Sequence, residues 1–335
     1  MSTMTTHRTA GPTPVARPGL SKLVWVTWRQ HRTALLGMLS VMGLGALVLL
    51  LDGRSMHSAF TSSGMINCLP GHEAGYCGAA LDAFRPAQDR VSQLTGLCLA
   101  LPVLYGLFLG APLLAREYES GTYRFAFTQG AGRVRWLIAK IVLLSSFTIA
   151  TTTAFTAVVM WWYSPLVPLT GRLGNTIFES YGAVFVARAL FAFAVGIAVG
   201  ALLRRTVPAI GVTLGVWLVV VISTTVSLRQ NFLTPLNTLN GTVPSTAWTV
   251  SSQWTGPDGH ALTGNQVADL QYRAAEGGHK LDLGQYLADQ GYRHLASYHP
   301  ESRFWSFQAI EAGGLAAVSV ALLILAIWLV RRRAA

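Results

Sequence analysis

The sequence predicts a polytopic α-helical membrane protein with six transmembrane helices. Only 12% of the 335 residues are charged and 52% are hydrophobic, whereas about a quarter of the residues in a soluble domain are usually charged. The apolar residues form runs of about 20, the length that crosses the hydrocarbon core as a helix. A membrane β-barrel would instead show short segments of alternating hydrophobicity. These observations together define an all-α polytopic fold.

The apolar runs place the six spans along the chain. We expect them at Ala34–Leu51, Leu94–Ala115, Leu137–Tyr163, Tyr181–Leu203, Val207–Val226 and Trp305–Val330. The chain then divides into a disordered, Thr-, Pro- and Gly-rich cytoplasmic tail (1–20), an interfacial helix with spans one to five (21–226), an extracellular cap (227–304), and span six with a basic cytoplasmic C-terminus (305–335).

The distribution of basic residues predicts the orientation. With both termini in the cytoplasm, the inner segments hold fifteen Lys and Arg residues but only two acids, Glu117 and Glu119. Loops rich in Lys and Arg remain on the cytoplasmic side, so we expect a multi-pass protein of the cell membrane. The net charge of +11 follows from this orientation and from attraction to anionic lipid, and it requires no nucleic-acid partner.

The segment before span one, Ser21–Arg32, combines Trp25 and Trp28 with basic residues. This pattern is typical of a short helix that lies in the inner membrane interface. A plain cytoplasmic extension of span one is an equally compatible interpretation.

The segment between spans five and six is too long for a structureless connection. Val267, Leu270 and Ala274 recur at helical spacing, and "LDLGQYLADQGY" resembles a second short helix. We therefore expect a small, mostly helical cap.

Cys68 and Cys77 share the first outer loop. An oxidising exterior would allow a disulfide between them, while two free thiols are the alternative. Several spans also carry the GxxxG spacing that lets helices approach closely. These motifs are Gly106–Gly110, Gly196–Gly200 and Gly211–Gly215.

The sequence contains no motif of a catalytic or metal site. It has no P-loop G-x-x-x-x-G-K-[ST], no H-E-x-x-H, no C-x-x-C and no G-x-S-x-G. The nearest approach to a metal cluster is a set of cap residues, namely His260, His279, His294, His299, Asp282 and Asp289. Of these, His294 and His299 are five residues apart, which is not a helical i,i+4 pair. We expect no bound metal, no cofactor and no enzymatic activity of the chain itself.

Two ionisable residues of opposite sign fall inside the predicted bilayer. Arg188 and Glu311 each lie six or seven residues past the outer start of their span, roughly 10 Å below the surface at 1.5 Å per residue. An unpaired charge at this depth is expensive, so we expect the two to pair. They would line a substrate path or an outer gate; the alternatives are a structural clasp, or an Arg188 that snorkels outward.

The stretch from Leu113 to Ile141 is the most informative part of the sequence. Arginines in an inner loop follow from topology alone, but two acids do not. A helix break at Gly121 and a short segment with Tyr123 and Phe127 on one face are also unexplained by topology. We expect a compact helical hairpin tip that projects into the cytoplasm.

This stretch, together with the six-span layout, resembles the permease subunits of ABC-2 type exporters. In that family the loop between spans two and three carries an acidic residue, a Gly-Thr pair and a basic residue. Here these are Glu117 and Glu119, then Gly121-Thr122, then Arg133 with Lys140 further on. Gly130-Ala131-Gly132 stands in place of the family's usual proline.

The resemblance implies a transporter half without a motor of its own. Two permeases, expected to be identical copies, would pair, and two separate ATPase subunits carrying ATP-Mg would dock below. The loop 116–135 would be the coupling helix, and Glu117 and Glu119 would meet basic groups on the ATPase. The coupling residues expected on this basis are Glu117, Glu119, Gly121, Thr122, Tyr123, Phe127 and Arg133. The substrate would be an amphiphile such as a drug, antibiotic, peptide or lipid.

Two other functions remain as alternatives. A membrane-anchored sensor or scaffold would use the cap to bind a ligand, but the sequence shows no cytoplasmic signalling domain. An intramembrane lipid-modifying enzyme would need a polar cluster at the outer mouth.

Overall fold

The computed structural model describes residues 20–68, 77–121, 133–174, 176–277 and 283–332. Within these ranges, six helices are long and apolar enough to cross a membrane, which confirms the predicted fold class. They are Trp25–Ser62, Cys77–Ser120, Val134–Thr170, Ala183–Leu203, Thr206–Asn231 and Glu301–Arg332.

The described α-helices, in chain order, are α1 (Leu20–Ser62), α2 (Cys77–Leu104), α3 (Ala111–Ser120), α4 (Arg133–Tyr163), α5 (Val167–Thr170), α6 (Ala183–Leu203), α7 (Thr206–Ser223), α8 (Gly264–Glu276), α9 (Leu283–Asp289) and α10 (Phe304–Arg332). A π-helical segment, Tyr105–Gly110, joins α2 to α3, so that span two is continuous. A second π-helical segment, Thr224–Leu228, extends α7 and leads into a 3₁₀ turn at Arg229–Asn231.

The prediction of a separate interfacial helix at the N-terminus is wrong. Helix α1 runs without interruption from Leu20 to Ser62, so the alternative interpretation, an extension of span one, is the one observed. The reason is local: this segment contains no proline, and its first glycine is Gly37. Nothing in it favours ending the helix before the apolar run begins.

Span two also starts earlier than predicted, at Cys77 rather than near Leu94. Its outer part carries polar residues and Pro86, yet it remains helical. The apolar run reports the thickness of the hydrocarbon core, whereas the helix itself continues well beyond it.

Span four is the centre of the bundle. Of its apolar window 72% is buried, against 22% for spans one and five. Glycines permit the close crossing of spans two and four: a Cβ atom added to Gly196 would lie 2.5 Å from the backbone nitrogen of Ala111 and 2.6 Å from the Gly106 carbonyl oxygen. A Cβ atom added to Gly110 would likewise lie 2.4 Å from the Phe193 carbonyl oxygen. By contrast, Gly211 and Gly215 have no described atom within 4 Å of such a Cβ.

The cap contains a sheet that the sequence analysis missed. Strands β1 (Leu236–Leu239), β2 (Trp248–Thr255) and β3 (Arg293–His299) form an antiparallel sheet in the order β1-β3-β2. Leu239 lies opposite Leu295, and Trp248 lies opposite His299. The two predicted cap helices are present as α8 and α9, but the expectation of a mostly helical cap was incomplete. The strands are short, and β3 pairs with segments some forty or more residues away, which a local pattern does not reveal.

A disulfide joins the end of span one to the start of span two. Cys68 closes the 3₁₀ turn that follows α1, Cys77 is the first residue of α2, and their Cα atoms lie 5.5 Å apart.

Candidate functional site

Four ionisable side chains converge in the bundle where spans four, five and six meet. Glu179 ends the 3₁₀ turn that precedes span four, Arg188 lies in α6, Arg229 follows the π-helical end of span five, and Glu311 lies in α10. Each residue is at most 5% exposed. We call this group the charge quartet.

Every charge of the quartet contacts both charges of opposite sign. Arg188 reaches Glu179 at 2.6 Å and Glu311 at 2.7 Å. Arg229 reaches Glu179 at 3.1 Å and Glu311 at 3.0 Å. The Thr225 hydroxyl adds a hydrogen bond to Glu179 at 2.6 Å. The result is a closed ring of two acids and two bases with no net charge, which is how buried charge is made tolerable.

Glu179, which lies between spans three and four, shows the balance of forces. Burial raises the pKa of its carboxyl group. The charge of Arg188, the hydrogen bond from the Thr225 hydroxyl and the charge of Arg229 lower the pKa, and together they outweigh the effect of burial. The pKa of Glu179 therefore lies below its usual value, and the group is ionised.

Arg188 and Glu311, which are predicted from the sequence to pair, are in contact in the structure. Glu179 and Arg229 were not predicted. These two lie two or three residues outside their predicted spans, where charged residues commonly face water. Their sequence positions carry no signal that separates them from ordinary interfacial residues.

A second ion pair ties the same end of the bundle together. Glu301, just before α10, accepts hydrogen bonds from the Arg172 backbone N–H at 2.9 Å and from Arg172 Nε at 2.5 Å. The Arg172 guanidinium also lies 4.3 Å from the centre of the Phe304 ring. The loop between spans three and four is thus fixed to span six at two points, through Glu301 and through the quartet.

Glu117 and Glu119 have partners within the chain, at the opposite end of the bundle from the charge quartet. Glu117 in α3 forms an ion pair with Lys140 in α4. Lys140 is fully buried, and its ammonium lies 4.1 Å from the centre of the Trp136 ring. Glu119 is exposed and accepts hydrogen bonds from Thr206 N–H at 3.1 Å and Thr206 Oγ1 at 2.8 Å.

Helix α3 ends where the sequence predicted a break. Gly121 follows its last residue with a φ of 70°, a left-handed conformation that glycine adopts without strain. Thr122, Tyr123 and Phe127 lie outside the described residues. Arg133 is the first residue of α4, and its side chain is also outside the described part of the chain.

The described histidines and acids of the cap do not form a candidate metal site. Among the described residues, no three His, Cys, Asp or Glu side chains are grouped so that they could hold a metal ion. His294 instead stacks on Trp254 with ring centres 4.5 Å apart. His299 is buried against Trp248 and Phe307. His279 and Asp282 lie outside the described residues.

Comparison with known proteins provides one match. The family model described as ABC-2 membrane transporter related matches residues 39–229, more than half of the chain. The match includes Glu117 and Glu119 and three members of the charge quartet, Glu179, Arg188 and Arg229. No curated protein and no solved structure matches the chain.

Proposed function

The chain belongs to the ABC-2 membrane transporter related family, and from this membership we propose that it is the membrane-spanning permease of an ATP-driven exporter. The chain contains no P-loop, so ATP-Mg would be held and hydrolysed by two separate ATPase subunits. Two copies of this permease would form the membrane part. The substrate would be an amphiphile carried outward, and the cap would face the exterior.

The arrangement around Glu117 is the observation that carries the proposal. Helices α3 and α4 are the two arms that lead into and out of the loop 122–132. The Glu117–Lys140 ion pair joins these arms, and Lys140 is fully buried. The arms of the hairpin are therefore held together, and a displacement of the loop would move spans two and three as one body.

Glu119 extends this connection to span five. Its carboxylate holds both the backbone N–H and the hydroxyl of Thr206, the first residue of α7. A carboxylate at a helix N-terminus is stabilised by the helix dipole as well as by these bonds. Only Arg204 and Arg205 separate α7 from α6, so span four would follow span five.

These contacts favour different roles for different residues of the segment 116–135. The carboxylates of Glu117 and Glu119 are engaged inside the chain, which favours a role in transmission over the direct contact with the ATPase that the resemblance implied. The aromatic pair Tyr123 and Phe127 would then supply the docking surface.

Two variants of the full chain test the proposal. Deletion of Thr122–Thr128 removes the docking segment and is expected to abolish both co-purification of a P-loop ATPase and ATP-dependent movement of a fluorescent amphiphile in inside-out vesicles. Glu117→Gln is expected to retain the ATPase but to reduce transport per ATP hydrolysed, because the ion pair between the arms is lost. Glu276→Gln, on the exposed cap helix α8, is the matched control and should change neither. Survival of both activities in the deletion variant would contradict the proposal.

A further inference from the structure

A second apolar cluster, separate from the main core, lies next to the charge quartet. Its buried members are Val103, Ala187, Phe191, Ala192, Val195, Trp217 and Leu315, contributed by spans two, four, five and six. Leu315 is one helical turn from Glu311 on the same face of α10, and Phe191 is three residues from Arg188 in α6. The cluster therefore continues the quartet toward the middle of the bundle.

Trp217 is the only member of this cluster with a hydrogen-bond donor on its side chain. The residue is 5% exposed, and its indole N–H is buried without an acceptor among the described residues. Trp162, which is also fully buried, donates its N–H to Asp52 Oδ2 at 2.9 Å. Buried donors are nearly always paired, so the N–H of Trp217 is left for an acceptor that the described residues do not supply.

One π-helical segment of the described chain borders this cluster, and the second begins three residues beyond it. Leu107, within the segment Tyr105–Gly110 of span two, packs against it. Val220 and Val221 also pack against it and lie just before the segment Thr224–Leu228 of span five. A π-helical turn carries an extra residue and interrupts regular helix bonding, and such turns are frequent at functional sites. Spans two and five thus have a local irregularity where they would need to part for a molecule to enter.

We propose that the apolar cluster between spans two, four, five and six binds a neutral apolar molecule that carries a hydrogen-bond acceptor, with Trp217 Nε1–H as the donor. The cluster contains no ionisable side chain, so a charged group would be left unpaired there. A carbonyl, ether or ester oxygen would satisfy the indole. In naming the molecule a transport substrate, the inference rests on the proposed function; the binding itself does not.

Benzophenone is a suitable probe because it is neutral, diaryl and a ketone. On irradiation its excited carbonyl takes a hydrogen atom from a neighbouring C–H bond, and the two resulting radicals combine into one new C–C bond. The full-length protein in lipid nanodiscs would be labelled and the modified residues located by mass spectrometry. We expect labelling of cluster members such as Val103, Phe191 and Leu315.

The hydrogen bond is tested with Trp217→Phe, which keeps an aromatic ring and removes the donor. Labelling of the cluster is expected to fall about two- to tenfold, the value of one neutral hydrogen bond. Trp162→Phe is the matched control and should leave labelling unchanged. In the native protein, fluorenone should compete at lower concentration than fluorene, which lacks the ketone, and Trp217→Phe should remove this difference. Labelling outside the cluster, or labelling that Trp217→Phe does not reduce, would overturn the inference.

The same samples separate this inference from the proposed function. Trp217 is not part of the segment 116–135, so the Trp217→Phe protein is expected to retain the ATPase subunit. Donor-dependent labelling without any bound ATPase would support the binding site and contradict the permease assignment. A bound ATPase with no donor-dependent labelling would support the permease assignment and contradict the binding site.

Discussion

Each residue of the charge quartet depends on the other three, because every acid touches both arginines. Removing one charge leaves an uncompensated charge in a buried site, which costs roughly 3–5 kcal/mol. Removing one acid and one base leaves a neutral pair that is still in contact, whichever two are chosen. The stability of the fold should therefore depend on the net charge of the quartet more than on which of its residues remain.

This symmetry gives a residue-scale prediction. Glu179→Gln is expected to lower the thermal unfolding midpoint, since it leaves the ring with a charge of +1. The double variant Glu179→Gln/Arg229→Gln should recover much of the loss, because Arg188 and Glu311 remain paired. Unfolding midpoints in detergent would measure both. A double variant less stable than Glu179→Gln alone would contradict this account.

His299 supports a prediction about pH. Its Nε2 lies 3.2 Å from the Gln230 carbonyl oxygen, and its Nδ1 lies 3.1 Å from Arg303 Nη1. Burial lowers the pKa of His299, the Gln230 bond raises it, and the charge of Arg303 lowers it, with a net value below the usual 6.5. Burial also lowers the pKa of His294.

Because the folded pKa values are depressed, the unfolded chain binds more protons in acid. Stability of the cap is expected to be full above pH 6.5 and to decline as the pH falls below that value. Thermal midpoints measured from pH 8 to pH 4.5 should show this loss, and His299→Gln should flatten it. An identical pH profile for the variant would exclude His299 as a cause.

At the scale of elements, glycine position decides how closely helices approach. A Cβ atom added to Gly196 would meet the backbone of span two, whereas one added to Gly211 would meet no described atom within 4 Å. The sequence presents both as the same GxxxG spacing. Hydrophobic pattern and spacing identify helices that can pack closely, but not which face meets which neighbour.

Two alanine substitutions test this difference. Gly196→Ala is expected to destabilise the bundle, since its Cβ would overlap the Ala111 nitrogen and the Gly106 carbonyl. Gly211→Ala should be neutral or stabilising by up to about 1 kcal/mol, because alanine is the better helix former. Expression level and unfolding midpoint provide the comparison. Equal behaviour of the two variants would mean that the crossing of spans two and four is not tight.

The spans could be predicted from sequence because each is a local apolar run of membrane length. The cap sheet could not, because β3 pairs with strands far away in the chain. The quartet was half predictable: Arg188 and Glu311 stand out inside apolar runs, while Glu179 and Arg229 become buried only through the turns that bring their segments together. Glu117 and Glu119 stood out in the sequence, but their partners within the chain, Lys140 and Thr206, could not be predicted from it.

At the scale of the whole molecule, the basic inner segments predict that the cap faces outward. Tyr272 on cap helix α8 is 64% exposed, and Arg116 is exposed near the end of α3. Cys98 is buried and Cys68 is bonded to Cys77, so an introduced cysteine would be the accessible thiol among the described residues.

A membrane-impermeant maleimide should therefore label Tyr272→Cys in intact cells. Arg116→Cys should be labelled only after the membrane is permeabilised. Unmodified protein serves as the control for background reaction. The opposite pattern would reverse the orientation and place the loop 122–132 outside, where no ATPase could reach it.

The neutrality of the quartet also bears on the membrane potential. A single elementary charge that crosses the membrane gains or loses about 2.3 kcal/mol per 100 mV, so an unbalanced charge in a moving segment would make transport voltage-dependent. Glu179, Arg188, Arg229 and Glu311 carry two negative and two positive charges. If these four side chains shift together as the outer end of the bundle rearranges, the electric field does no net work on them. The rearrangement would then proceed at the same rate in a fully energised cell and in a depolarised one.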